Sequence, residues 1–171
     1  QEFKRGMFET LRALTTYRDR LIERVCAAAP VNAEQAQLHA RLMRALKNAL
    51  THPPHDMYEA VVAWNLLYYF DGCDNPGPLD RDLLPYHRCE EETVPVLDAF
   101  FRNVDCNDGW SMTLGGSLPD ASPAYNPVTL CCLKALCGKR RPNTQLRVRA
   151  DMPEEIWEAA FDCFASGCGQ P

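Results

Sequence analysis

The order of apolar and polar positions predicts a helical first two thirds and a last third in which helices alternate with short strands. Phe8, Leu11, Leu14, Leu21, Ile22 and Val25 recur at helical spacing with Arg and Glu between them, so a first helix is expected over 2–28. Asn32 is the expected N-cap of a second helix, whose stripe reads Leu38, Leu42, Leu46, Ala49 and Leu50. Thr51-His52-Pro53-Pro54 ends that helix, because a proline drives the residue before it out of the α region. Asp56 is expected to cap a third helix running to Phe70, which is apolar on nearly every face and is therefore expected to be central.

Residues 71–78 (DGCDNPGP) form a turn cluster, followed by a short helical piece from Asp80 to Leu84. A helix over Glu90–Val104 would turn Leu97, Phe100, Phe101 and Val104 inward and set Glu90, Glu91 and Glu92 at its positive end. Trp110–Leu114 reads as a strand, and Gly115-Gly116 permits positive φ after it. The next helix opens at Ser122-Pro123 or Asn126-Pro127, since each pair puts a capping side chain before a proline at the first helical position. Thr144–Arg149 alternates as a strand does, and Asp151 with Glu154 three residues later has the spacing of a capping box for a last helix ending at Gly167. The expected fold class is mainly α with a few short strands, in the α/β sense, and residues 1–171 read as a single partial domain. The chain opens within a helix, without Met, and stops after a glycine-rich turn where a βα-type domain would continue, so both ends are expected to be cuts in a longer protein.

Composition narrows the function classes. With 46% apolar and 24% charged residues the chain is ordinary for a globular protein. Its net charge is −5, and the one basic cluster, Lys139-Arg140-Arg141, is short and has no aromatics among it, which argues against a nucleic-acid face. No run of about 18 apolar residues is present, so no membrane span is expected. The nine cysteines include no CxxC pair, and their odd number does not make a complete disulfide framework. Cys131, Cys132 and Cys163 fall on apolar helix faces, as buried thiols of a reducing, cytoplasmic setting would.

A set of short motifs stands in order along residues 38–171. They are His52-Pro53-Pro54 with Glu59-Ala60, then Gly77-Pro78-Leu79-Asp80-Arg81 running on to Leu84-Pro85-Tyr86. Thr113-Leu114-Gly115-Gly116 and Asp120 follow, then Asn126-Pro127-Val128-Thr129-Leu130 to Ala135, then Pro142-Asn143 with Arg147. Pro153-Glu154-Glu155 and Gly167-Cys168-Gly169-Gln170-Pro171 complete the set. Each piece alone is weak, but the ordered set resembles the glycyl radical enzymes, the group of pyruvate formate-lyase and its dehydratase and lyase relatives. Two positions depart from that family's pattern: Pro78 stands where an Arg is usual and Arg81 where a Gln is usual.

The resemblance implies part of an α/β barrel with its helices outside. It implies a lyase or dehydratase that cleaves a C–C, C–O or C–N bond of a small polar substrate through glycyl and thiyl radicals. The chain itself would bind no cofactor; a partner activase of the radical-SAM, iron–sulfur type would install the glycyl radical, and the intact enzyme would be a homodimer. In that family a cysteine in a GCxEP loop relays the radical held by a glycine in an RVxGY loop, and enclosure and proximity carry much of the catalysis. Neither loop is present as such: Arg147-Val148-Arg149 lacks the Gly-Tyr, and Cys168 has Gln170 where the thiyl loop has Glu. Cys168 therefore reads either as a thiyl residue or as an incidental thiol in a tight turn, and its upstream context favours the turn.

Cys73, Asp74 and Asn75 are the candidate substrate-binding residues, because the family's loop just before its GRxD element faces the cavity. Asp74 would accept a hydrogen bond from a substrate hydroxyl or ammonium; the competing reading is an Asx turn bonding local backbone. No catalytic residue and no metal ligand is assigned within the chain. A non-catalytic helical interaction module is the alternative to a radical enzyme, and a cysteine-rich metal module is the third reading. An exposed apolar face near 144–171 would favour the fragment, and a closed polar surface there the module.

Overall fold

The computed structural model describes residues 1–72, 74–109 and 111–168. Its contacts divide the chain into two units, Gln1–Phe70 and Asp71–Pro171. The first is three helices: α1 (Glu2–Ala27), α2 (Ala33–Asn48) and α3 (Met57–Phe70). The second holds α4 (Leu79–Leu83), α5 (Glu90–Cys106), β1 (Ser111–Gly115), α6 (Pro127–Leu136), β2 (Asn143–Arg147) and α7 (Glu154–Ala165), with one 3-10 turn over Leu84–Tyr86. The chain is thus mainly helical with one two-stranded parallel sheet. No helix of the described residues is long and apolar enough to cross a membrane.

In the first unit the caps fall where side-chain chemistry demands. The Asn32 side chain accepts from the Gln35 N–H at 2.8 Å and the Asp56 carboxylate from the Glu59 N–H at 2.9 Å, each satisfying a donor that the first helical turn leaves open. Leu14, Ala49 and Leu66 form the core between the three helices, with Tyr17, Leu21 and Ala63 against it. The Arg18 guanidinium donates to the Ala49 carbonyl at 2.9 Å, which holds the end of α2 to α1.

The expected stripes are only partly buried. Residues 1–13 are exposed throughout, including Phe8 and Leu11, so α1 enters the core only from Leu14. On α2 the buried residues are Met43, Ala45 and Leu46, while Leu38 is exposed. Leu50 is exposed too, because it lies beyond the helix in a left-handed conformation (φ 68°) that takes it off the stripe. α3 is largely buried, as its composition predicts: Met57, Ala60, Val61, Trp64, Leu66 and Tyr68 are buried, and of its residues Leu67 and Phe70 alone are exposed.

In the second unit β1, α6 and β2 form a strand–helix–strand crossover. The strands pair in parallel from Ser111 opposite Asn143 to Gly115 opposite Arg147. α6 packs between α5 and α7, and its Val128, Cys131, Cys132, Leu133, Ala135 and Leu136 are buried. Leu97, Phe100, Phe101 and Val104 of α5 point inward as expected. Asn126, rather than Ser122, caps α6: it accepts from the Val128 N–H at 2.9 Å while Thr129 Oγ1 accepts from the Asn126 N–H at 3.0 Å. Ser122 instead donates to Asp120 within a tight turn.

Asp151 does not cap α7. Its carboxylate is taken by the Arg149 guanidinium in two bonds of 2.7 and 2.9 Å, and Pro153 occupies the cap position. The Lys139 and Arg141 side chains of the basic cluster are likewise spent on structure. Lys139 pairs with Asp98 at 2.6 Å and Arg141 with Asp108 at 3.1 Å, while the Arg140 and Arg141 N–H groups both donate to Asp105.

Candidate functional site

The loop of residues 71–78 and the C-terminal end of β1 carry the polar side chains that the sequence singled out. The parallel strands direct their C-terminal ends, Gly115 and Arg147, to one edge of the sheet, the edge at which open α/β folds set their ligands. Pro78 forms an isolated bridge to Thr113 and so joins the loop to β1.

Asn75 strengthens that joint. Its Nδ2 donates to the buried Thr113 hydroxyl and its Oδ1 accepts from the Gly77 N–H at 3.2 Å. The Asp74 carboxylate is exposed and accepts from the Asn75 N–H at 2.8 Å. Asp74 and Asn75 thus lie together in one turn with Asx-type bonding. Cys73 lies outside the described residues.

Asp80 follows on α4 and is fully buried. One carboxylate oxygen accepts from the Gly115 N–H at 2.9 Å and from the Thr129 hydroxyl at 2.5 Å; the other accepts from the Arg81 N–H at 3.0 Å. Burial pushes its pKa above the ordinary value, and the bonds from Thr129, Gly115 and Arg81 hold that rise back. The sequence placed Asp80 only at the start of a short helical piece. Its long-range partners had no local signal, apart from Thr129 three residues after Asn126.

The Gly115-Gly116 turn owes its glycines to space as well as to φ. Gly115 has φ +65°, and a Cβ there would fall 2.5 Å from Cε1 of Tyr125. Tyr125 in turn donates its hydroxyl to the Arg147 carbonyl at 2.6 Å, so its ring covers the glycine and its tip holds the end of β2. Nothing in the sequence pointed to Tyr125.

Cysteines, histidines and aromatic residues elsewhere resolve as local structure. Cys168 is buried, donates its S–H to the Cys163 carbonyl at 3.0 Å, and follows the left-handed Gly167 (φ +87°), as the tight-turn reading expects. His87 Nδ1 lies 2.9 Å from the buried Thr93 hydroxyl. His55 contacts Glu59 at the entry to α3. Trp64 and Tyr68 stack and are buried. Cys131, Cys132 and Cys163 are buried too; burial raises the Cys131 thiol to about 11 and Cys132 well above the usual range. Among the described residues no group of three or more His, Cys, Asp or Glu is placed to hold a metal ion.

The fold has clear counterparts among solved structures. A glycyl radical enzyme from Archaeoglobus fulgidus superposes with a TM-score of 0.68 at 16% identity, over 92% of this chain and 24% of its own. The chain resembles the glycyl radical enzymes. The structure of 1,2-propanediol dehydration in Roseburia inulinivorans matches with a TM-score of 0.76 at 17% identity, over 91% of this chain and 24% of that one. The glycerol-bound B12-independent glycerol dehydratase of Clostridium butyricum matches at 0.72 and 13% identity, over 94% and 24%. At these identities the likeness to glycyl radical enzymes is one of fold, and the chain spans about a quarter of the length of the structures it matches. No family model matches the sequence, and no curated relative matches it.

Proposed function

We propose that this chain is a piece of a glycyl radical enzyme, a lyase or dehydratase acting on a small polar substrate in an oxygen-free cytoplasm. The observation that carries the reading is the coincidence of two signals. The ordered motifs of residues 38–171 resemble this family, and the fold matches a quarter of solved members over nine tenths of the chain. In this reading residues 1–171 are one partial domain, and β1 and β2 are two strands of the family barrel with the helices outside. Both radical-bearing loops fall outside the chain, which alone is inert. The intact enzyme is a homodimer activated by a separate radical-SAM, iron–sulfur partner.

The surface of α7 favours this reading over a self-contained interaction module. Trp157, Phe161 and Phe164 are exposed on it, and Val148 just after β2 is exposed as well. This is the apolar face a fragment would present, and it differs from the closed polar surface of a finished module.

The substrate contacts assigned to Cys73, Asp74 and Asn75 divide by role. Asn75 spends both ends of its amide on Thr113 and Gly77 and so sets the loop against β1. That leaves the exposed Asp74 carboxylate, with Cys73 beside it in sequence, to meet a substrate hydroxyl or ammonium. Pro78 and Arg81 depart from the usual pattern next to this loop, so the substrate is expected to differ from those of members with the common Arg and Gln.

The genomic DNA on the 3′ side of this segment tests the reading. It is expected to encode a GCxEP-type loop shortly after Pro171 and an RVxGY-type loop far downstream. A reading frame that continues into neither overturns it.

A further inference from the structure

Cys163 and Cys168 bring their Sγ atoms to 3.1 Å at the end of α7. A disulfide needs about 2.05 Å, so joining them takes a sulfur displacement of about 1 Å. The turn that brings them together is held from several sides. Gly167 takes the left-handed conformation (φ +87°) and returns the chain onto the helix end. Cys168 bonds the Cys163 carbonyl at 3.0 Å, as does the Ser166 hydroxyl at 2.6 Å. Ser166 Oγ also accepts from the Gly138 N–H at 2.8 Å, which ties the turn to the end of α6. The pair is thus pre-organised rather than meeting by chance motion.

The two thiols are not equivalent. Cys163 is fully buried, and burial together with the neighbouring Cys168 and Cys137 thiols pushes its pKa far up. Cys168 is the less enclosed, at 9% exposure. A raised pKa slows attack, since the thiolate is the nucleophile. Proximity offsets that loss once a neighbouring sulfur is activated.

We propose that Cys163 and Cys168 are a modification site, closing to a reversible disulfide by exchange with small-molecule disulfides of the glutathione class. The Cys168 thiolate attacks one sulfur of the oxidised small molecule. A mixed disulfide forms on Cys168, and the first small thiolate leaves and takes up the Cys168 proton. Cys163 then attacks the Cys168 sulfur, the Cys163–Cys168 bond forms, and the second small thiol leaves with the Cys163 proton. Two protein thiols are oxidised and one small-molecule disulfide is reduced to two thiols, so electrons and atoms balance. The product staples the last turn of α7 to the residue that follows it. Nothing in this site depends on the radical reading of the chain.

The test is incubation of the folded chain with oxidised glutathione, acid quenching, digestion and mass analysis, with circular dichroism confirming that the helices persist. The expected result is that the peptide carrying both residues becomes two hydrogens lighter without a glutathione adduct, faster at higher pH, and recovers on adding dithiothreitol. Cys168→Ser is expected to leave Cys163 unmodified while the exposed Cys26 and Cys106 still gain glutathione. The proposal is overturned if the peptide keeps both thiols while Cys26 and Cys106 react. It is equally overturned if Cys168 holds an unresolved glutathione, or if Cys163 pairs with another cysteine.

Discussion

The buried carboxylate of Asp80 accepts the backbone N–H of Gly115, 35 residues further along the chain, at 2.9 Å. That bond holds the turn at the end of β1, and the Tyr125 ring fills the space where a Cβ of Gly115 would go. Two of the motifs on which the family resemblance rests, the Gly-Pro-Leu-Asp segment of 77–80 and the Thr-Leu-Gly-Gly turn of 113–116, are therefore one physical unit. The Thr129 hydroxyl adds the start of α6 to it.

Removing the carboxylate leaves buried donors unsatisfied. Asp80→Ala is expected to cost about 3 kcal/mol or more, since each stranded buried donor costs on the order of 1–3 kcal/mol. Urea unfolding followed by circular dichroism measures it. A change under about 0.5 kcal/mol, the range of ordinary surface substitutions, would contradict the assignment.

Asp80 also sets a pH dependence. Burial raises its folded pKa above the ordinary 3.8, so the folded state holds the proton more tightly than the unfolded chain. The cost of ionising it is absent below 3.8 and grows as pH rises from there through its raised folded value. Relative to Asp80→Asn, the native chain should therefore gain stability as pH falls through that window. Asp98 has the opposite sign: the Lys139 bond holds its pKa low, so its contribution is present above 3.8 and is lost as pH falls through its depressed folded value. Urea midpoints of wild type, Asp80→Asn and Asp98→Asn across acid pH separate the two, and matching slopes for the two variants would refute the assignment.

Gly115 and Gly138 both have positive φ, at 65° and 74°, but only Gly115 has a neighbour where a Cβ would go. Gly138→Ala should cost about 1–2 kcal/mol, the backbone penalty alone. Gly115→Ala should cost clearly more, because the Tyr125 ring must move. Tyr125→Ala should shrink the difference between the two alanine variants. Equal costs in the native background would show that the ring does not enclose the turn.

Asp74 and Asn75 are expected to separate in the intact enzyme. Asn75→Ala should lower stability by about 1 kcal/mol through loss of its bond to Thr113. Asp74→Asn should leave stability within about 0.5 kcal/mol and reduce kcat/KM. Unchanged turnover in Asp74→Asn would remove the residue from the site.

Local chemistry was legible in the sequence, and long-range chemistry was not. Asn32 and Asp56 cap the helices they precede, and the four inward residues of α5 are buried, because caps and helical periodicity act within a few residues. Asp151 failed as a cap because the neighbouring Arg149 competes for the same carboxylate with two charge-assisted bonds. The α1 stripe misled at Phe8 and Leu11, since periodicity predicts an apolar face but not whether a partner covers it. At the candidate site, the Asx character of 74–75 was foreseen from residue type, whereas the reach of Asn75 to Thr113 depends on a strand 38 residues away. Tyr125 over Gly115 likewise exists only once the crossover has folded.

Electron paramagnetic resonance of the protein expressed from the complete reading frame, after anaerobic incubation with a radical-SAM activase from the same genome, tests the central claim most directly. A glycyl radical enzyme gives the doublet of a carbon-centred glycine radical, lost on exposure to air. The absence of any such signal, with an activase shown to reductively cleave S-adenosylmethionine, would contradict the account.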